Sequence, residues 1–190
     1  EVGCFDMTGT GIAEVADPSA LFLGHGEPEP GTCVTIAMEG RRALPVEIQA
    51  LAVRQTAPNP RRIVNGVDSS RVAMVLAVLE SRMGLTLSDR DVYVSTVGGV
   101  RLIEPAADLA IAIAVANAVK NRKVSKRLAA IGELTLTGEI RNVTQAAQRA
   151  SEAKRLGYHT VLDSSSRKLA QALNELQARG MPRDEGEPGF

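Results

Sequence analysis

Hydrophobic positions in this chain recur at every second residue in some stretches and at helical spacing in others, and the two rhythms mark out successive elements. Val34, Ile36 and Met38 alternate within residues 31–38, which predicts a strand. Glu39-Gly40-Arg41-Arg42 turns the chain, and residues 43–53 return as a second strand with Pro45 near its start, so the pair reads as a hairpin. Val72, Val75, Leu76, Leu79 and Met83 share one face of a helix that Asp68 or Ser69 caps and Gly84 stops. Asp91 to Val97 reads as a strand. Pro105 opens a helix to about Val119 that is apolar nearly all round, which predicts a central buried helix. A strand at 129–136, a helix at 144–156, a strand at 159–163 and a helix at 166–179 follow. This alternation predicts a mixed α/β (α+β) fold with helices packed on a sheet.

The remaining stretches read as connections or ends. Residues 2–7 alternate weakly before the turn signal Thr8-Gly9-Thr10-Gly11, and Asp17-Pro18-Ser19 reads as a helix start. Residues 24–31 form a linker by composition, residues 57–62 a loop, and residues 180–190 a disordered tail. Gly98-Gly99 has no Lys-Ser/Thr after it, so it does not read as a phosphate loop.

Composition narrows the function classes. There is no Trp, with three Phe and two Tyr, so platforms for stacking single-stranded bases are not expected. Cys4 and Cys33 form no C-x-x-C pair and there are only two His, which argues against a metal site. Two thiols without a secretory signal fit a reducing cytoplasm. The longest apolar run, Leu109 to Val115, is too short for a membrane span. The chain opens without Met and holds no Walker loop, which suggests a piece of a larger protein.

Charge sums to zero but is unevenly placed. The first 40 residues carry seven acids and no Lys or Arg, residues 41–90 eight Arg against four acids, and residues 101–160 ten bases against five acids. Such asymmetry predicts a basic face in the middle of the chain. Its candidates for phosphate contact are Arg61, Arg62, Arg71, Arg101, Lys120, Arg122, Lys123, Lys126 and Arg127. Phosphates need positive charge without aromatic stacking or base-edge readout.

Residues 132–162 carry the most specific motif. Gly132-Glu133-Leu134-Thr135-Leu136, then Gly138, then Gly157-Tyr158-His159-Thr160-Val161-Leu162, resemble the catalytic region of Lon-type proteases without a gap. In that family a Gly-Pro-Ser-Ala-Gly segment holds the nucleophile, and this chain reads Glu104-Pro105-Ala106-Ala107-Asp108. The resemblance places Ala106 at the nucleophile and Arg149 at the catalytic Lys. Alanine has no nucleophilic atom, and arginine stays protonated and cannot act as general base. The alternatives, Ser69, Ser70, Ser95 and Ser125 with Lys154, lie outside the motif positions.

A wider resemblance runs from residue 1 to about 175. Glu1-Val2-Gly3-Cys4-Phe5-Asp6-Met7-Thr8, Met38-Glu39-Gly40-Arg41-Arg42, Pro60-Arg61-Arg62 and Gly98-Gly99-Val100-Arg101-Leu102 through Ala110 resemble the bacterial DNA repair family RadA, also called Sms. The resemblance implies three regions: residues 1–30, the end of a RecA-like ATPase domain with its linker; residues 31–179, a Lon protease-like domain; and the tail at 180–190. It implies a domain that is not itself an enzyme, with no catalytic residue, no metal and no cofactor of its own. ATP, magnesium and zinc would belong to the missing N-terminal part, an ATPase and DNA helicase. Expected partners are further copies in a hexameric ring, DNA, and recombinase or other repair proteins. Arg149 is then expected to make a structural ion pair.

Overall fold

The computed structural model describes residues 5–8, 11–14, 23, 27, 29–55, 59–125 and 127–178. The expected helix start at 17–19, Cys4, Lys126 and the tail at 180–190 lie outside the described residues. Two short strands, β1 (Phe5–Thr8) and β2 (Gly11–Glu14), pair antiparallel in a sheet of their own.

The main sheet has six strands: β3 (Thr32–Glu39), β4 (Arg42–Arg54), β5 (Arg62–Asn65), β6 (Arg90–Thr96), β7 (Leu128–Ala130) and β10 (Thr160–Leu162). Their order is β10-β7-β3-β4-β6-β5. β3 and β4 form the expected hairpin, with Glu39 opposite Arg42 and Gly40 in the left-handed region at φ 59. β4 also pairs antiparallel with β6, while β5–β6, β3–β7 and β7–β10 are parallel. The sheet is therefore mixed, as predicted.

Helix α1 (Ser69–Met83) is capped by Asp68, whose side chain accepts from the Arg71 backbone N–H, and stopped by Gly84 at φ 63. Helix α2 (Asp108–Lys120) buries ten successive residues, Asp108 through Asn117. Its many alanines let the sheet approach closely: Gly31, at φ +91, has no room for a Cβ, which would sit 2.1 Å from the Ala50 carbonyl oxygen and 3.1 Å from Ala118. Helices α3 (Ala146–Arg155) and α4 (Leu169–Ala178) and the small hairpin β8 (Glu133–Leu134) and β9 (Ile140–Arg141) follow among the described residues.

Alternation along β3 divides the core in two. Cys33 and Ala37 face the large cluster with α1 and α2, including Val72, Leu79, Leu109 and Ile113. Ile36, flanked by Val34 and Met38, faces a smaller cluster with Ala153 of α3 and Tyr158. The helices thus pack on both faces of β3.

Three expectations differ in detail. Residues 57–62 do not end as a loop, because Arg62 already starts β5. The strand expected over 129–136 breaks after Ala130, where Gly132 leaves the sheet and bonds to the turn before α2. The helix expected from Pro105 begins as a 3-10 turn, Pro105–Ala107, and becomes α-helical at Asp108.

Candidate functional site

The turn at residues 104–108 is held from three sides. Gly132 N–H donates to the Ala106 carbonyl at 2.9 Å, and Leu109 N–H donates to the Gly132 carbonyl at 3.1 Å. A Cβ on Gly132 would lie 2.7 Å from the Ile140 side chain, so a glycine is required there. On the next residues, Leu134 N–H donates to Asp108 Oδ2 at 3.0 Å. The Gly132-Glu133-Leu134 motif therefore runs directly beside the turn that carries Ala106, which is itself 3% exposed.

Arg149 closes the third side. It is 1% exposed and donates through Nε to the Thr144 carbonyl at 2.9 Å, and through Nη1 to the Ile36 carbonyl at 2.6 Å. Its fork grips Glu104, Nη1 to Oε1 at 2.8 Å and Nη2 to Oε2 at 2.5 Å. Glu104 Oε1 also accepts from the Met38 backbone N–H at 3.2 Å. The expected structural ion pair of Arg149 is present, and it ties α3, the end of β3 and the 104–107 turn together. Bidentate guanidinium–carboxylate pairing combines charge with fixed geometry.

A second pair, a buried Asp108 with a half-buried Arg71, lies on the other side of the turn. Arg71 Nε donates to Asp108 Oδ1 at 2.8 Å and Nη2 to Oδ2, with Glu133 Oε1 3.8 Å away. Burial pushes the Asp108 carboxyl up, while the Arg71 fork and the Leu134 N–H act against that shift. Asp108 in turn raises the Arg71 guanidinium and holds it charged.

The basic candidates divide by what holds them. Arg71 is engaged by Asp108, so its charge does not face outward. Arg61 donates to Asp91 through its backbone N–H at 2.6 Å and through Nε at 3.1 Å, yet its side chain is 66% exposed. These bonds, with one from Gln55, hold the Asp91 carboxyl below the usual carboxylate range. Arg62 donates to the carbonyls of Leu87, Arg90 and Arg61, which pins the loop before β6 and leaves its charge without a carboxylate in those bonds. Arg101 and Lys120 are exposed, and Arg122 is half-buried. Lys123 pairs with Glu29 at 3.6 Å, and Arg127 Nη1 lies 2.8 Å from His159 Nε2.

Topology brings two of these groups to one end of the molecule. β3, β5, β6, β7 and β10 all run in the same direction, so Arg61 and Arg62 before β5 and the cluster before β7 share the end where those strands start. Four strand spacings, about 19 Å, separate β7 from β5 across that end. Arg101 follows the turn after β6 and sits beyond the opposite end of β5, where Leu102 bridges Val67. Sequence reasoning did not single out Glu104 or Asp108. Their signal was an acid on each side of Pro105-Ala106-Ala107, inside a turn next to an otherwise apolar helix.

Among the described residues no group of three or more His, Cys, Asp or Glu side chains could hold a metal ion. Cys33 is buried and its thiol is pushed up, mainly by desolvation. No helix among the described residues is long and apolar enough to cross a membrane.

Comparison with known proteins bears out the resemblance to RadA. Residues 68–166 match the family model described as subunit ChlI of Mg-chelatase. The chain is 44% identical over 163 residues to DNA repair protein RadA of Halalkalibacterium halodurans, covering 85% of this chain and 36% of that protein. It is 46% identical over 163 residues to DNA repair protein RadA of Mycolicibacterium smegmatis, covering 85% of this chain and 35% of that one. The Streptococcus pyogenes RadA protein is 43% identical over 162 residues, again 85% of this chain and 36% of the relative. The chain thus spans about a third of the length of the curated relatives it matches. With more than half of its residues matched by one family model, the chain belongs to the family described as subunit ChlI of Mg-chelatase, and over most of its length it is similar to DNA repair proteins named RadA.

Proposed function

We propose that this chain is the non-catalytic, Lon-like C-terminal domain of a RadA-type DNA repair and recombination ATPase, serving ring assembly and sequence-independent DNA binding. The observation that carries the loss of catalysis is the state of Arg149. Where a Ser/Lys protease needs an amine able to take a proton, a buried guanidinium is held by Glu104 and two backbone carbonyls. Ala106, at the nucleophile's position, supplies no attacking atom. A site converted from chemistry to a rigid brace supports a role in assembly.

The RadA proteins to which the chain is similar are named as DNA repair proteins, which supports a place in DNA repair; in this reading the domain works in the cytoplasm. ATP hydrolysis, with its magnesium, and the zinc site belong in this reading to regions outside the 190 residues. Hexameric rings, DNA and recombinase or other repair proteins are the partners it calls for. Of the basic candidates, Lys120, Arg122, Lys123 and Arg127 are the preferred phosphate contacts, because Arg71 is tied to Asp108 and Arg62 to loop carbonyls. A domain that assembles without touching DNA is the second reading.

DNA affinity across a salt series separates the two. Counterion release predicts a log–log slope of about −0.9 per neutralised phosphate on duplex DNA. Replacing Lys120, Arg122, Lys123 and Arg127 together with Ala should weaken binding on all sequences alike and flatten that slope. An unchanged slope would reject this cluster, and no binding at low salt would leave the purely structural reading.

A further inference from the structure

Helices cover the two faces of the sheet unevenly. Ile48 and Ala50 of β4, Val92 and Val94 of β6 and Val64 of β5 turn into the large cluster with α1 and α2. Strand alternation sends the residues between them to the other face. α3 closes that face over β3 and β7, where Ile36, Ala129, Ala153 and Tyr158 form the smaller cluster. Over β4, β6 and β5 it stays bare among the described residues. Leu51 is 58%, Ile63 49% and Val53 42% exposed, and register sets Tyr93 between Leu51 and Ile63.

This bare face carries little uncancelled charge. Arg61 and Asp91 neutralise each other at one end. Towards the other end Gln49 Nε2 donates to the Glu47 carboxylate at 2.9 Å, and Ser95 and Asn65 add neutral polar groups. An apolar centre with a neutral polar border suits a protein partner and not a polyanion.

The opposite side of the molecule presents a helix of matching character. The solvent-facing stripe of a surface helix is ordinarily charged or polar. On α1 it reads Ser70, Ala73, Met74, Ala77 and Ser81, all exposed and none charged. The three charged residues of α1 are engaged within the chain: Arg71 by Asp108, Glu80 by the Leu87 N–H at 3.1 Å, and Arg82 by the Leu136 carbonyl at 3.5 Å. That last contact sets Leu136, 61% exposed, beside the end of the stripe. The 15 residues of α1 make a rod about 22 Å long and about 10 Å wide. β4, β6 and β5 together span about 14 Å, so one such helix, with its small side chains allowing close approach, covers them.

We propose that α1 of one copy docks on the bare β4–β6–β5 face of the next, so that copies join head to tail. The inference rests on the assembly reading above and adds the two surfaces that meet. α1 lies over one face of the sheet and Leu51, Tyr93 and Ile63 lie on the other. A two-fold pair therefore cannot bury both surfaces at once, whereas successive copies can. Heterologous contacts of this kind close into a ring when the rotation between copies allows it. Docking also gives β4, β6 and β5 a helix layer on each face, as β3 already has from α2 and α3.

Two variants, each spoiling one surface, test the contact. Leu51→Glu places a charge on the sheet face and Ala77→Glu places one on the helix. Both positions are exposed, so thermal melts should stay near the parent's. If either variant melts well below the parent, Ile63→Glu replaces the first and Met74→Glu the second. Sedimentation of the 190-residue parent should show species heavier than one chain that grow with concentration. Each variant alone should sediment as a single chain. A one-to-one mixture should form a two-chain species and nothing larger. The intact α1 of the Leu51→Glu chain then docks on the intact face of the Ala77→Glu chain, and no further competent pair of surfaces remains. A mixture that stays monomeric overturns the proposal. So does an Ala77→Glu chain that still pairs with itself, because the sheet faces would then meet each other. Variants that assemble as the parent does overturn these surfaces and leave the assembly reading standing on others. A parent that sediments as a single chain at its highest soluble concentration overturns both the contact and the self-assembly of this chain.

Discussion

Replacing Arg149 with Met tests whether the buried Arg149–Glu104 pair acts as a brace. The substitution keeps length and apolar bulk while removing four donated hydrogen bonds. It leaves the carbonyls of Ile36 and Thr144 without that donor and Glu104 without its cation. Breaking a buried ion pair by removing one partner costs about 3–5 kcal/mol. Glu104 is 27% exposed while Arg149 is 1% exposed, so water can relieve the carboxylate in part, and the lower end, about 3 kcal/mol, is expected. For a chain of this size that corresponds to a fall in Tm of roughly 6–12 °C. Urea unfolding of the parent, Arg149→Met, Glu104→Met and the double variant measures the coupling directly. The double variant should recover part of the loss, since paired apolar groups replace paired charges more cheaply than an orphaned charge. A single Arg149→Met variant within about 0.5 kcal/mol of the parent would refute the brace, because that is the range of ordinary surface substitutions.

Ala106→Ser with Arg149→Lys should show no hydrolysis of unfolded protein, since the neighbouring Glu104 carboxylate holds the new amine protonated; measurable turnover dependent on the new serine would contradict this. Asp91→Asn should lower stability near neutral pH and flatten the acid limb of a urea-midpoint-versus-pH curve. The Asp91 carboxyl is depressed in the fold, so its contribution is present above the unfolded value of about 4 and is lost as pH falls through the folded value. An identical acid limb in parent and variant would exclude that linkage. Cys33, buried and with its thiol pushed up, should resist Ellman's reagent at mildly alkaline pH until the chain unfolds, as mass mapping of the labelled peptide would show. Gly31→Ala should destabilise strongly in thermal melts, because its Cβ would meet the Ala50 carbonyl oxygen at 2.1 Å in a left-handed backbone.

The pattern of apolar positions carried most of the fold. Val34, Ile36 and Met38 on one side of β3, the stripe from Val72 to Leu79 on α1 and the all-round apolar α2 are local periodicities, and each was readable because one strand or helix expresses it alone. β5 was missed because Arg62-Ile63-Val64-Asn65 is four residues long and has no period to show; it exists through parallel pairing with β6. The break after Ala130 was hidden for a related reason. Nothing in Ile131-Gly132-Glu133 says that the backbone will leave the sheet to bond to the turn at Ala106.

The site divides along the same line. By itself the sequence determined that Ala106 and Arg149 lack the groups a Ser/Lys dyad needs, because nucleophilicity and protonation belong to the side chain wherever it is placed. It also determined the uneven charge, with bases gathered in the middle of the chain. Only the tertiary structure decided which bases are free to face outward. Arg71 and Asp108 are 37 residues apart and Arg149 and Glu104 45 apart, so pairing that engages their charges depends on the packing of α1, α2 and α3. It likewise decided that Leu51 and Ile63 are exposed while Leu109 and Ile113 are buried, since exposure is a property of what packs above a residue and not of the residue itself.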